Sequence, residues 1–312
     1  MKKLRIVFMG TAAFAVPSLR RLAQSHHEVV AVVTTPDLPR GRGQQVSFTP
    51  IKELAVELGL PVLQPDNLKD EQFIASLRSY NADVFLVVAY RILPPEVFEL
   101  PSLGCINLHA SLLPKYRGAA PINWAIMRGE TETGVTTFFI QKKVDTGTII
   151  LQRKTIIGEN ETVGELHDRL SEIGADVFLE TADLIAENKV VTRVQDDQLA
   201  TTAPKLFKET CRIDWTRSSR EIKNTVRGLS PYPCAWTTID GEAYKIFRIE
   251  TVKTAEQSAP GTIIVSNKQD GIWIQTGDGV VAILELQPPS KKRMKVTDFL
   301  NGRQLPIGIY AG

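Results

Sequence analysis

Apolar and polar positions along the first part of the chain follow two rhythms. Residues 4–9, 29–33 and 83–89 are nearly unbroken apolar runs, the pattern of parallel strands buried on both faces. Between the first two, Phe14, Val16, Leu19, Leu22 and Ala23 recur at helical spacing and predict a helix to about residue 25. The same logic predicts helices over 51–58, 71–80, 121–128 and 161–187. A short strand is expected at 61–64, and a pair of strands at 135–140 and 148–157 joined by the turn Val144-Asp145-Thr146-Gly147. Strands alternating with helices imply an α/β domain, here residues 1–189. Gly10-Thr11-Ala12-Ala13 after the first strand is not GxGxxG, so a dinucleotide site is unsupported.

The rhythm then changes. Residues 190–206 are polar, lack a period and contain Pro204, and read as a linker. Ser218-Ser219-Arg220-Glu221 starts a short helix with a cap and an acidic first turn. Five short β-rich runs follow, at 235–239, 243–249, 261–265, 271–276 and 280–286. Asp240-Gly241 and Asp278-Gly279 between them are hairpin signals. This second domain, 207–312, is expected to be a small β-barrel, OB-like.

Composition adds bounds. With 312 residues, 43% hydrophobic and 23% charged, the chain has the make-up of a soluble two-domain protein. No apolar run approaches the ~20 residues needed to span a bilayer, so no membrane partner is expected. Lys2 and Lys3 precede an apolar run, but it is too short for a signal peptide and closes on Gly10. Cys105, Cys211 and Cys234 form neither a disulfide framework nor a CxxC, which fits a cytoplasmic location. Charge is uneven. Residues 205–312 hold 16 Lys+Arg against 11 Asp+Glu, net +5, whereas 1–204 hold 21 against 24, net −3. The basic C-terminal part points to a polyanionic partner.

Candidate chemistry concentrates at residues 104–121. Asn107 and His109 are two apart at the end of an apolar run, so on a strand both face the same way while Leu108 packs on the other side. Pro114 and Gly118 stop the strand, and Pro121 suits a first helical turn. An amide donor and a titratable imidazole thus share a strand end, where α/β sheets place ligand crevices. A single His there is more often structural than catalytic, and Cys105 on the same face packs as a small hydrophobe. Asp145 is the carboxylate candidate; by spacing alone it is better explained as the Asx residue of its turn. His26 and His27, between helix and strand, are expected to be solvated, and His167 to be structural. HExxH, clustered Cys/His, GxSxG and P-loop patterns are absent, so no metal site is expected. Residues 34–50 form a long Pro-, Gly- and Arg-containing connection, either a solvated loop or one suited to approaching phosphates.

These residues resemble a known family. The run from Cys105 to Ile122, with its Asn/His pair and Ser111-Leu112-Leu113-Pro114, followed by Asp145-Thr146-Gly147, is similar to the folate-dependent formyltransferases. Supporting runs are Phe14-Ala15-Val16-Pro17-Ser18-Leu19, Val87-Val88-Ala89-Tyr90, Arg212-Ile213-Asp214-Trp215 and Leu286-Gln287-Pro288. They cover almost the whole chain and point to the tRNA-acting branch, with a Rossmann-like catalytic domain. The resemblance implies transfer of a formyl group from 10-formyltetrahydrofolate to the α-amine of methionine on initiator tRNA; a monomer is expected. It implies Asn107, His109 and Asp145 as catalytic residues and Val88, Ala89, Tyr90, Ser111, Leu112, Leu113 and Pro114 as the folate pocket. Arg40, Arg42, Lys291, Lys292 and Arg293 would meet nucleic acid. Departures are Ala12 where the family has Pro, Gln44-Gln45 where a basic pair is usual, and a shortened segment after Tyr90. An amino-sugar nucleotide acceptor, or a tRNA-binding protein without catalysis, are the competing expectations.

Overall fold

The computed structural model describes residues 2–40 and 45–312. The chain packs as two compact units, each discontinuous in sequence. One comprises Met1–Gly118, Thr133–Thr155 and His167–Ala203; the other comprises Ala119–Glu132, Ile156–Leu166 and Pro204–Gly312.

In chain order the strands associated with the first unit are β1 (Arg5–Gly10), β2 (Glu28–Val33), β3 (Leu38–Arg40), β4 (Gln45–Ser47), β5 (Val62–Leu63) and β6 (Val84–Val88). β7 (Cys105–His109), β8 (Arg117–Gly118), β9 (Glu132–Phe139), β10 (Ile149–Ile156) and β11 (Thr202–Ala203) follow. Seven of them form one sheet in the order β10-β9-β7-β6-β1-β2-β5. β5, β2, β1, β6 and β7 run parallel, and β9 joins β7 antiparallel. The apolar runs of β1, β2 and β6 are buried almost throughout, as strands covered on both faces must be. Strand order reverses between β1 and β6, where Gly10 lies opposite Val88 at the carboxyl ends. That reversal opens a crevice in sheets of this kind. β7 is the next strand along, so its end borders the same edge.

The predicted helices form as Val16–Ala23, Pro50–Glu57, Glu71–Ser79, Pro121–Met127 and Val163–Ala186. Their starts follow local chemistry: Thr49 and Asp70 accept hydrogen bonds from the backbone nitrogens of Lys52 and Phe73. The polar stretch 190–206 contributes β11, which pairs in parallel with β8.

One expectation fails here. His27 is not solvated: its side chain is fully buried, while His26 is exposed. The backbone nitrogen of Glu28 already bonds Leu4, which draws residue 27 against the first strand. There the Leu4 N–H donates to Nδ1 at 3.3 Å, so the neutral ring carries its proton on Nε2 and donates to Asp183 at 3.0 Å. Burial, and then His26 beside it, hold the His27 imidazole below its ordinary pKa.

In the second unit β12 (Ala235–Ile239), β13 (Glu242–Val252), β14 (Ile263–Asn267), β15 (Gly271–Gln275) and β16 (Val280–Gln287) form an antiparallel sheet ordered β12-β13-β16-β15-β14. β17 (Met294–Lys295) is added to β16. Asp240-Gly241 and Asp278-Gly279 make the turns the sequence predicts, with Asp240 and Gly241 both at positive φ. Isolated bridges join Ile239 to Ala311 and Thr262 to Tyr310. Trp215, Tyr244 and Ile246 are among the core residues, and the Trp215 indole nitrogen donates to Thr237 Oγ1. Ser218 and Glu221 form the full capping box of helix Ser219–Leu229. Among the described residues no helix is long and apolar enough to cross a membrane.

Candidate active site

The alternation read from the sequence is what β7 has. Leu108 is buried on one side, against Gly174, where a Cβ would come within 2.8 Å of the leucine. Cys105, Asn107 and His109 take the other side. His109 is 6% exposed, and its Nε2 lies 2.8 Å from the Tyr116 carbonyl oxygen. A carbonyl only accepts, so Nε2 carries a proton and the neutral ring leaves its lone pair on Nδ1. Nδ1 faces the Asp145 carboxylate at 3.8 Å. Asn107 is partly exposed, and its carboxamide makes no hydrogen bond among the described residues. Both of its N–H donors are therefore available to a ligand.

Asp145 is brought to His109 by the turn between β9 and β10. Its backbone sits in the left-handed region, φ +55°. The carboxylate accepts the Gly118 N–H at 2.9 Å. Gly147 follows because a Cβ there would fall 1.6 Å from the Phe139 carbonyl oxygen. The loop after β7 is equally determined. Thr136 Oγ1 donates to the Ser111 carbonyl at 2.6 Å and accepts from Leu113 N, and Gln152 donates to the Leu113 carbonyl at 2.8 Å.

Of the residues assigned to a folate pocket, Leu112 and Pro114 are partly exposed, while Ser111 and Leu113 are buried. Ser111 spends its hydroxyl on the Lys115 carbonyl at 2.7 Å, so it shapes the loop. Val88 is buried, Ala89 is exposed at φ +47°, and Tyr90 is half-buried with its hydroxyl accepting from Arg91. Thr11, just after β1, has a buried hydroxyl without a partner among the described residues; the sequence offered no signal for it. Arg42 lies outside the described residues, and for Arg40 only the β3 backbone is described. In the second unit Lys291 and Lys292 are exposed with no ion pair among the described residues. Arg293 is paired with Glu285 at 2.7 Å and stacked on Phe247.

His26, His27 and Asp183 are one group with metal-ligand spacing among the described residues. The chemistry argues against ligation: His27 Nδ1 is taken by the Leu4 N–H, so Nε2 holds a proton instead of a lone pair.

An unpartnered carboxamide beside a buried imidazole–carboxylate pair, at the carboxyl ends of the parallel strands of a mixed sheet, suits acyl transfer, and comparison with known proteins agrees. The formyl transferase family matches residues 4–182, and the formyl transferase C-terminal domain matches residues 205–304. The chain belongs to the formyl transferase family. It is 47% identical over 319 residues to the methionyl-tRNA formyltransferase of Bacteroides thetaiotaomicron, covering 99% of both chains. It is 46% identical over 307 residues to that of Caldanaerobacter subterraneus subsp. tengcongensis, covering 98% of this chain and 99% of the other. Among solved structures, the sugar 3N-formyl transferase WlaRD, with dTDP and 5-N-formyl-THF, superposes with a TM-score of 0.66 at 20% identity. That match covers 94% of this chain and all of WlaRD. HypX from Aquifex aeolicus in complex with tetrahydrofolic acid gives 0.63 at 20% identity, over 96% of this chain and 47% of HypX. At such identities these two show the fold alone.

Proposed function

We propose that the protein transfers the formyl group of 10-formyltetrahydrofolate to the α-amino group of methionine on initiator tRNA. The observation that carries the chemistry is the His109–Asp145 pair next to the unpartnered Asn107 carboxamide. Relatives at 46–47% identity that match end to end carry the choice of acceptor.

The amine attacks the formyl carbon, a C–N bond forms, and the carbonyl oxygen becomes an oxyanion. Asn107 donates an N–H to that oxygen, an interaction typically worth ~10²–10³ in rate. His109 Nδ1 takes the proton of the attacking nitrogen while Nε2 stays on the Tyr116 carbonyl. Asp145 faces the imidazolium that results. Collapse breaks the C–N bond to the donor, and His109 returns the proton to the leaving nitrogen. No enzyme nucleophile is needed. The Cys105 thiol is buried and burial pushes its pKa well up, and the Ser111 hydroxyl is committed to Lys115. Val88, Ala89, Tyr90 and the loop 111–114 would hold the folate, with Leu112, Pro114 and Ala89 presenting surface. Arg40, Arg42, Lys291, Lys292 and Arg293 would meet tRNA phosphates.

The test is steady-state formylation with charged initiator tRNA and amino-sugar nucleotides as competing acceptors. Formyl-methionyl-tRNA as the dominant product is expected. A higher kcat/KM for the sugar nucleotide, or no turnover of either, would overturn the proposal.

A further inference from the structure

Asp145 sits in the left-handed region at φ +55°, which Asp tolerates better than most residues, and hydrogen bonds from elsewhere in the chain fix the turn around it. Those bonds come from the polar stretch after helix Val163–Ala186. Gln195 is 8% exposed, and its single carboxamide nitrogen donates to the carbonyl oxygens of Asp145 at 2.9 Å and Gly147 at 2.8 Å. Its Oε1 accepts from two Arg117 nitrogens, at 3.1 and 2.8 Å, and the third nitrogen of that guanidinium pairs with Asp197 at 2.7 Å. A few residues on, Thr201 accepts the Tyr116 N–H on its hydroxyl and the Arg117 N–H on its carbonyl, both at 2.9 Å. Tyr116 in turn supplies the carbonyl that sets the His109 tautomer.

We infer that Gln195, anchored by Arg117, is a positioning residue that sets the Asp145 carboxylate against His109. This rests on the proposal that Asp145 and His109 carry the reaction. The glutamine acts through the backbone of the Asp145 turn. Its donor count is what matters: one NH₂ bridges the carbonyls on both sides of Thr146, and only an amide whose oxygen is fixed elsewhere presents both hydrogens that way. Arg117 supplies that fixing with a planar fork.

Gln195→Glu retains the shape and the acceptor for Arg117 but removes both donors. Gln195→Leu removes donors and acceptor. A misplacement of ~1 Å in a reacting group can cost 10²-fold, so kcat is expected to fall ~10–100-fold in both. KM for folate and for tRNA should stay within about 3-fold, and the acidic limb of the kcat–pH profile should move, which a merely structural loss would not do. Asp145→Ala is run alongside. Gln195 variants with parental kcat and pH profile, while Asp145→Ala is inactive, overturn the positioning role and leave the site assignment standing. Parental turnover in Asp145→Ala removes both. If the Gln195 variants do not fold, Arg117→Lys carries the same test: lowered kcat at unchanged KM supports the role, and parental kcat refutes it.

Discussion

Replacing Asp145 by Asn separates charge from shape. The amide can keep the Gly118 N–H as donor to its oxygen, so the turn retains its 2.9 Å hydrogen bond. What is lost is a negative charge 3.8 Å from His109 Nδ1, in a pair whose side chains are 7% and 10% exposed. At an effective dielectric of about 20, that attraction to a full imidazolium is ~4 kcal/mol. If half of it is felt in the transition state, turnover falls ~30-fold; if all, ~10³-fold. Single-turnover formylation with saturating folate and charged tRNA reads this directly, and the melting temperature checks the fold. KM for both substrates should change little, because neither needs the carboxylate in order to bind. A folded Asp145→Asn enzyme with a rate within about 3-fold of the parent would refute the role of charge.

The remaining expectations concern separate parts of the molecule. Asn107→Ala should lower kcat by ~10²–10³ with the enzyme still folded, and full kcat would exclude it as the oxyanion donor. Lys291→Ala with Lys292→Ala should raise KM for tRNA, leave KM for folate unchanged, and reduce the salt slope of tRNA binding by ~1 per residue; an unchanged slope would exclude contact with phosphates. His27 gives a pH dependence of stability. Its folded pKa lies below the unfolded value, so its stabilising effect is complete above about pH 7. As pH falls below ~6.5 the unfolded chain takes up a proton that the folded ring refuses. Stability then drops by at most ~1.4 kcal/mol per pH unit until buried His27 itself titrates. Urea titrations between pH 5 and 8 should show that loss, and His27→Gln should reduce it; an identical slope in the variant would refute it.

Legibility differed residue by residue. Asn107 and His109 were visible because both lie on one short strand, where alternation alone puts them on a common face. Asp145 was not visible that way: its spacing suits an ordinary turn, and only the family resemblance joined it to His109. Gln195 gave no signal, because a glutamine in an aperiodic polar stretch looks like linker. Its partners lie 50 and 48 residues away in the chain. His27 was misjudged for a related reason: a polar residue between helix and strand is usually wet, unless the next strand starts so soon that it is pulled inward.

What the sequence determined by itself is the succession of elements, the change from mixed α/β to antiparallel strands near residue 205, and the strand that carries the amide and the imidazole. These follow from local sterics and from which faces must be buried, information written within a few residues. Only the tertiary structure decided that β7 lies between parallel β6 and antiparallel β9. It alone brought the Asp145 turn to 3.8 Å from His109 and bonded the 195–203 segment to that turn and to residues 116 and 117. Those juxtapositions depend on how distant elements pack, and packing between distant segments leaves no periodic trace in the chain.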